Sequence, residues 1–107
     1  MPTRRRRAIT WSPEAEQDLF DIYQYLEREA SARTAEKYLR QISQSCERIR
    51  KRPLLGRTRN EVMPGLRSVL VLPYVVFYRV SGSSVDIVRV LHGRRDLDAI
   101  FAAEIED

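Results

Sequence analysis

The sequence predicts a small α+β domain, a helix hairpin packed on an antiparallel sheet in the order β-α-α-β-β-β, with a short C-terminal helix. Three observations predict it. Two stretches in the first half repeat apolar residues at helical spacing. Three runs rich in β-branched residues follow in the second half, separated by short turn signals. The whole chain has 107 residues, enough for one hydrophobic core and not for two.

The elements follow in order. Residues 1–7 are read as a disordered basic arm, with too little apolar content to pack, and residues 8–107 as a single domain. Ala8 to Trp11 is a brief apolar strand. Ser12-Pro13 then starts a helix, since Ser caps well and Pro at the first position gives up an N–H that has no partner there. Glu14 and Glu16 suit the helix dipole. Ala15, Leu19, Ile22 and Leu26 recur on one face, widened by Phe20 and Tyr23, so the helix is expected over 13–29. Ser31 or Thr34 can cap a second helix, whose stripe is Ala35, Tyr38, Leu39, Ile42, Cys46 and Ile49. It ends at Arg52, because the residue before Pro53 is pushed out of helical conformation. So short a link makes the two helices an antiparallel hairpin.

Leu54 to Gly65 reads as a loop, punctuated by Gly56, Pro64 and Gly65. Leu66 to Leu72 is a strand, Pro73-Tyr74 a turn, and Val75 to Val80 the next strand. Ser81 to Ser84 turns into the last one. Three strands with tight connections form an antiparallel meander. Leu97, Ile100, Phe101 and Ile105 mark the short C-terminal helix.

The last strand and its exit, Ser84 to Asp96, hold the main functional signal. Val85, Ile87, Val88, Val90 and Leu91 make both parities apolar, as expected of a strand covered on both faces or set centrally in a sheet. Arg89 interrupts that run, and a charge among apolar residues needs solvent, an anion or a partner. His92, Gly93, Arg94 and Arg95 gather at the exit.

The net charge of +4 is unevenly placed. Residues 12–52 balance, residues 53–95 carry seven arginines against two acids, and residues 96–107 carry five acids and no base. Arginine suits forked recognition of phosphate or carboxylate better than lysine. The same residues equally describe a solvated face, and charge alone does not separate the two. The lone Cys46 excludes an internal disulfide and offers no metal spacing, so no metal or other cofactor is expected. Its place on the helix stripe makes it a small buried hydrophobe. A reducing compartment is the expectation. No apolar run approaches the roughly 20 residues of a membrane span, so no membrane partner is expected.

Taken together, W-S-P-E-A-E-Q-D-L, R-I-R-K-R-P with Gly56, L-R-S-V-L-V-L-P-Y-V-V-F-Y-R-V and I-V-R-V-L-H-G-R-R-D-L resemble the RelE/ParE superfamily of type II toxin–antitoxin toxins. The resemblance runs from Ile9 to about Phe101 and lies closer to the ParE branch, because H-G-R-R-D-L runs on into an acidic, apolar helix. It implies a cytoplasmic toxin, held in a hetero-oligomer by a ParD-like antitoxin, that inhibits DNA gyrase by direct binding. Arg67, Arg79, Arg89, His92, Arg94 and Arg95 are then the candidate target-binding residues. Tyr23, Tyr25 and Tyr38 are candidates for the antitoxin groove, since aromatics with a polar tip serve at interfaces.

Two alternatives stand beside it. A RelE-like, ribosome-dependent mRNA endoribonuclease would need a base, an acid and cations for the phosphorane. Arg67, Arg79 and Arg89 would supply the cations and His92 or Glu61 the proton carrier, with Tyr74 or Tyr78 assisting. A third reading is a non-toxic member that only binds and autoregulates. Each arginine also has a plain structural reading: Arg79 and Arg89 could pair with Asp86, Asp96 or Asp98, and His92 could stabilise its turn.

Overall fold

The structure, a computed structural model, describes residues 7–94 and 100–102. A strand, β1 (Ala8–Trp11), leads into the helices α1 (Pro13–Glu29) and α2 (Ala32–Lys51). Then come β2 (Arg57–Thr58), β3 (Arg67–Val71), β4 (Tyr74–Ser81) and β5 (Ser84–His92). Both helices start as their residues predict. The Ser12 hydroxyl accepts the Ala15 N–H, and the Ser31 hydroxyl accepts the Thr34 N–H. Residues 100–102 are helical, and the rest of the expected C-terminal helix lies outside the described residues.

The sheet order is β1-β5-β4-β3-β2. The meander is antiparallel as expected, but the sheet as a whole is mixed, because β1 pairs parallel with β5. A second difference lies in the stretch read as a loop. Arg57 and Thr58 pair with Ser68 and Arg67, so a two-residue strand extends the sheet past β3. Two residues are too few for any periodic signal to show.

The double apolar parity of β5 has two causes. Helices cover one face, where Val85, Ile87 and Val90 join Ile42, Cys46 and Ile49. On the other face Leu91 packs with Phe77, Leu66, Met63 and Phe101, the Phe77 and Phe101 rings meeting edge-on at 5.0 Å. Between them lies a bulge. Phe77 opposes Arg89 while Tyr78 opposes Ile87, so Val88 is an extra residue and the in–out alternation slips by one. Cys46 is buried as its stripe position predicts, and burial, helped by the nearby charge of Glu47, pushes its thiol up to about 12.

Candidate functional site

The candidate arginines fall into three groups according to what holds them. Arg89 is locked. β1 stops at Trp11, level with Ile87, and beyond that point α1 crosses the open edge of β5. There Ser12 continues the pairing, its N–H donating to the Ile87 carbonyl and its hydroxyl to that of Val88. Asp18, nearly two turns further, accepts the Val90 N–H at 2.9 Å. The same carboxylate takes the Arg89 guanidinium as a fork, at 2.8 and 2.9 Å. Both side chains are largely buried, at 16% and 10% exposure. The charge inside the strand is thus answered by Asp18 rather than by Asp86, one of the three partners named from sequence. Asp86 accepts instead from Thr10 and Ser84. Asp96 and Asp98 lie outside the described residues.

Arg67 is half-held. Its Nη1 donates to the Gly56 carbonyl at 2.8 Å. The loop it touches is pinned from beneath by the Tyr78 hydroxyl, which donates to the Pro53 carbonyl at 2.7 Å and accepts the Gly56 N–H at 2.8 Å. Burial raises the Tyr78 pKa, the Gly56 N–H and the Arg67 charge opposing it. A Cβ on Gly56 would stand 2.6 Å from that hydroxyl and 2.9 Å from the Ser68 carbonyl, so this position requires glycine. Tyr78 therefore serves as a buried clamp rather than as a residue free to move a proton.

Arg79 is open. It is exposed on β4, its Nη1 4.0 Å from the Met63 sulfur. Arg57, also exposed, and Arg59, which is bound to Glu61 at 3.0 Å, share its end of the sheet. The carboxyl of Glu61 is held low chiefly by a backbone hydrogen bond, with Arg59 and Arg57 adding to it.

His92 and Arg94 lie at the opposite end. Tyr74 opposes His92 whereas Arg79 opposes Asp86, so five residues of β4, about 17 Å, separate the two ends. His92 is exposed, and its Nδ1 accepts the Arg94 N–H at 3.2 Å, a turn-stabilising contact. Arg94 is exposed too, and Arg95 lies outside the described residues. The five described target-binding candidates thus do not form one cluster.

An aromatic groove of about 480 Å³ opens beside His92, between the helix hairpin and the β4–β5 end. Tyr25, Tyr38, Tyr74 and His92 line it, with Asp18 and Asp21 on one side. The rings form a chain, Tyr38 on Tyr74 and Tyr74 on His92, each at 5.9 Å and edge-on. Burial, with the neighbouring Tyr38 and Tyr25, raises the Tyr74 pKa. Of the three tyrosines named from sequence, Tyr25 and Tyr38 meet here, while Tyr23 is half-buried on α1 and not among the lining residues. Asp18 was missed. Its signal was present, a carboxylate one turn from both Ala15 and Ile22 on the apolar side of α1. Among the described residues no group of three His, Cys, Asp or Glu side chains is placed to hold a metal ion.

The family described as ParE toxin of type II toxin-antitoxin system, parDE, matches residues 9–97. The chain belongs to this ParE family. It is 36% identical over 88 residues to Toxin ParE1 of Mycobacterium tuberculosis, covering 81% of this chain and 90% of that protein. It is 35% identical over 82 residues to Toxin ParE3 of Caulobacter vibrioides, covering 77% and 82%. A solved chain from the chromosomal ParDE TA system of P. aeruginosa shares the fold, with a TM-score of 0.72 at 23% identity over 82% of this chain and 97% of that one. The ParE branch expected from the sequence is therefore correct, and the chain is a ParE toxin of a type II toxin–antitoxin module. Among the described residues no helix is long and apolar enough to cross a membrane.

Proposed function

We propose that this ParE toxin acts in the cytoplasm by binding DNA gyrase, with no chemistry of its own, and is silenced by a ParD-like antitoxin seated in the aromatic groove. Family membership over residues 9–97 carries the gyrase reading. The geometry supports it against the nuclease alternative. A nuclease needs its proton carrier and its cations around one phosphate. Here His92 stands about 17 Å along the sheet from Arg79, by strand rise alone, and Glu61, at Arg79's end, is taken up by Arg59. Arg89 meanwhile is held by Asp18. A binding surface has no such requirement, and the exposed Arg79 and Arg94 suit it.

The antitoxin reading rests on the groove. Its tyrosines present apolar rings with polar tips, the composition of a protein interface core. A segment disordered when alone can fold into such a groove.

A paired assay of the purified toxin tests the reading. Loss of supercoiling with trapped, cleaved DNA, and intact mRNA on translating ribosomes, is the expected result. Codon-phased mRNA cuts with unimpaired gyrase would overturn it in favour of the nuclease. Silence in both arms with tight antitoxin binding would favour the purely regulatory member.

A further inference from the structure

A second groove, of about 670 Å³, lies away from the aromatic one, between the C-terminal end of α2 and the outer edge of β3. Arg48, Lys51 and Arg52 line one wall and Leu55 adjoins them. The other wall is Ser68, Val69 and Leu70. Successive strand residues point to opposite faces of a sheet, so three in a row can line one groove only through the strand's edge.

That edge is open along half its length. β2 covers β3 only at Arg67 and Ser68. The Leu66 carbonyl accepts the Arg59 N–H on this side. By alternation Ser68 and Leu70 turn their backbone groups the same way, while Val69 and Val71 turn theirs toward β4. Leu70 lies beyond the end of β2, so its N–H and C=O face the groove. Its side chain is 60% exposed, and that of Leu55 is 41% exposed. Among the described residues no carboxylate lines the groove, and Arg50, the remaining base of this helix end, is turned to Glu47 at 2.9 Å.

We propose that this groove binds an extended, acidic segment of a partner protein, which adds as a strand to β3 in line with β2. The β3 edge would supply the main-chain hydrogen bonds of strand addition. Guest residues turned toward α2 would meet Arg48, Lys51 and Arg52, and so be Asp or Glu. Alternate residues, turned to the other face, would meet Leu70, and so be aliphatic. A nucleic-acid backbone would satisfy the cations but neither the leucines nor the strand edge. The inference stands apart from the gyrase reading and from the aromatic groove.

The test uses the full chain and three probes: an eight-residue peptide alternating glutamate and valine, its lysine–valine counterpart, and an oligo-dT single strand. Binding is followed by fluorescence anisotropy, and backbone amide exchange by NMR. The expected result is binding of the glutamate peptide alone, weakened at least tenfold by the double substitution Lys51→Glu and Arg52→Glu. The Leu70 amide should exchange at least tenfold more slowly with peptide bound, while Val69 and Val71 stay as they were. The amide readout separates strand addition from mere charge attraction, which would leave Leu70 unmoved. No binding of the glutamate peptide, an unchanged Leu70 amide, or protection of the same residues by oligo-dT would each overturn the proposal. So would a self-associated chain, detected by sedimentation, whose own contact protects Leu70.

Discussion

Arg89 and Arg79 sit on neighbouring strands of one sheet, both inside runs of valine, yet their surroundings differ completely. Arg89 lies where β1 has ended and α1 crosses the edge of β5, so Asp18 reaches it and the Val90 N–H together. Arg79 lies near the far end of β4, where its Nη1 stands 4.0 Å from the Met63 sulfur, and it stays exposed. Arg67 falls between them, half-exposed and bound to the loop carbonyls of Gly56 and, more weakly, Leu54. The difference teaches that an arginine in an apolar strand is not by itself a contact residue. What decides is whether a carboxylate from another layer is carried over it.

The comparison can be broken by substitution, and the effects should fall in order. Asp18→Ala removes the carboxylate from a largely buried pair and from a strand-edge N–H. It should cost about 3 kcal/mol, read by urea unfolding. A loss under ~1 kcal/mol would mean that Arg89 is not locked by this pair. Tyr78→Phe leaves the Gly56 N–H and Pro53 carbonyl without their shared hydroxyl and should cost about 1–3 kcal/mol. Arg67→Ala gives up its bond to the Gly56 carbonyl and a long one to that of Leu54, and should cost about 1 kcal/mol. Arg79→Ala, with nothing buried to lose, should stay within about 0.5 kcal/mol of the parent. Were Arg79→Ala to destabilise as much as Asp18→Ala, the division between locked and open arginines would fail.

Cys46 sharpens the same contrast from inside the core. Its raised pKa means that the folded state holds the thiol proton more tightly than the unfolded chain does. Stability from this group is therefore full below the ordinary thiol value of 9.0 and is lost as pH rises toward about 12. At pH 8 a thiol reagent should label Cys46 only as fast as the domain opens, at a rate that denaturant increases. Rapid labelling of the folded protein would show that the stripe is not closed over it.

Much of the fold was legible because its signals are local. Ser12-Pro13, Ser31 and Arg52-Pro53 are helix boundaries written in single residues, and the stripe through Ile42, Cys46 and Ile49 marks one buried face. The parallel pairing of β1 with β5 was not legible, since it joins residues more than 70 positions apart. Nor was the bulge at Val88, which depends on how two strands meet. The site divided in the same way. The aromatic pair Tyr25 and Tyr38 could be named from helix positions, but their meeting with Tyr74 and His92 needs the whole hairpin laid on the sheet. Arg89 stood out as a charge out of place. Its partner lies 71 residues away, and no spacing rule reaches that far.

The central claim is that the open arginines, and not the locked one, meet the target. Inhibition of gyrase supercoiling by the double variant Arg79→Ala, Arg94→Ala tests it most directly, once unfolding curves show the variant to be as stable as the parent. The account predicts that inhibition falls at least tenfold while antitoxin affinity stays within twofold. Full inhibition by this stable variant would contradict it and move the gyrase contact elsewhere on the molecule.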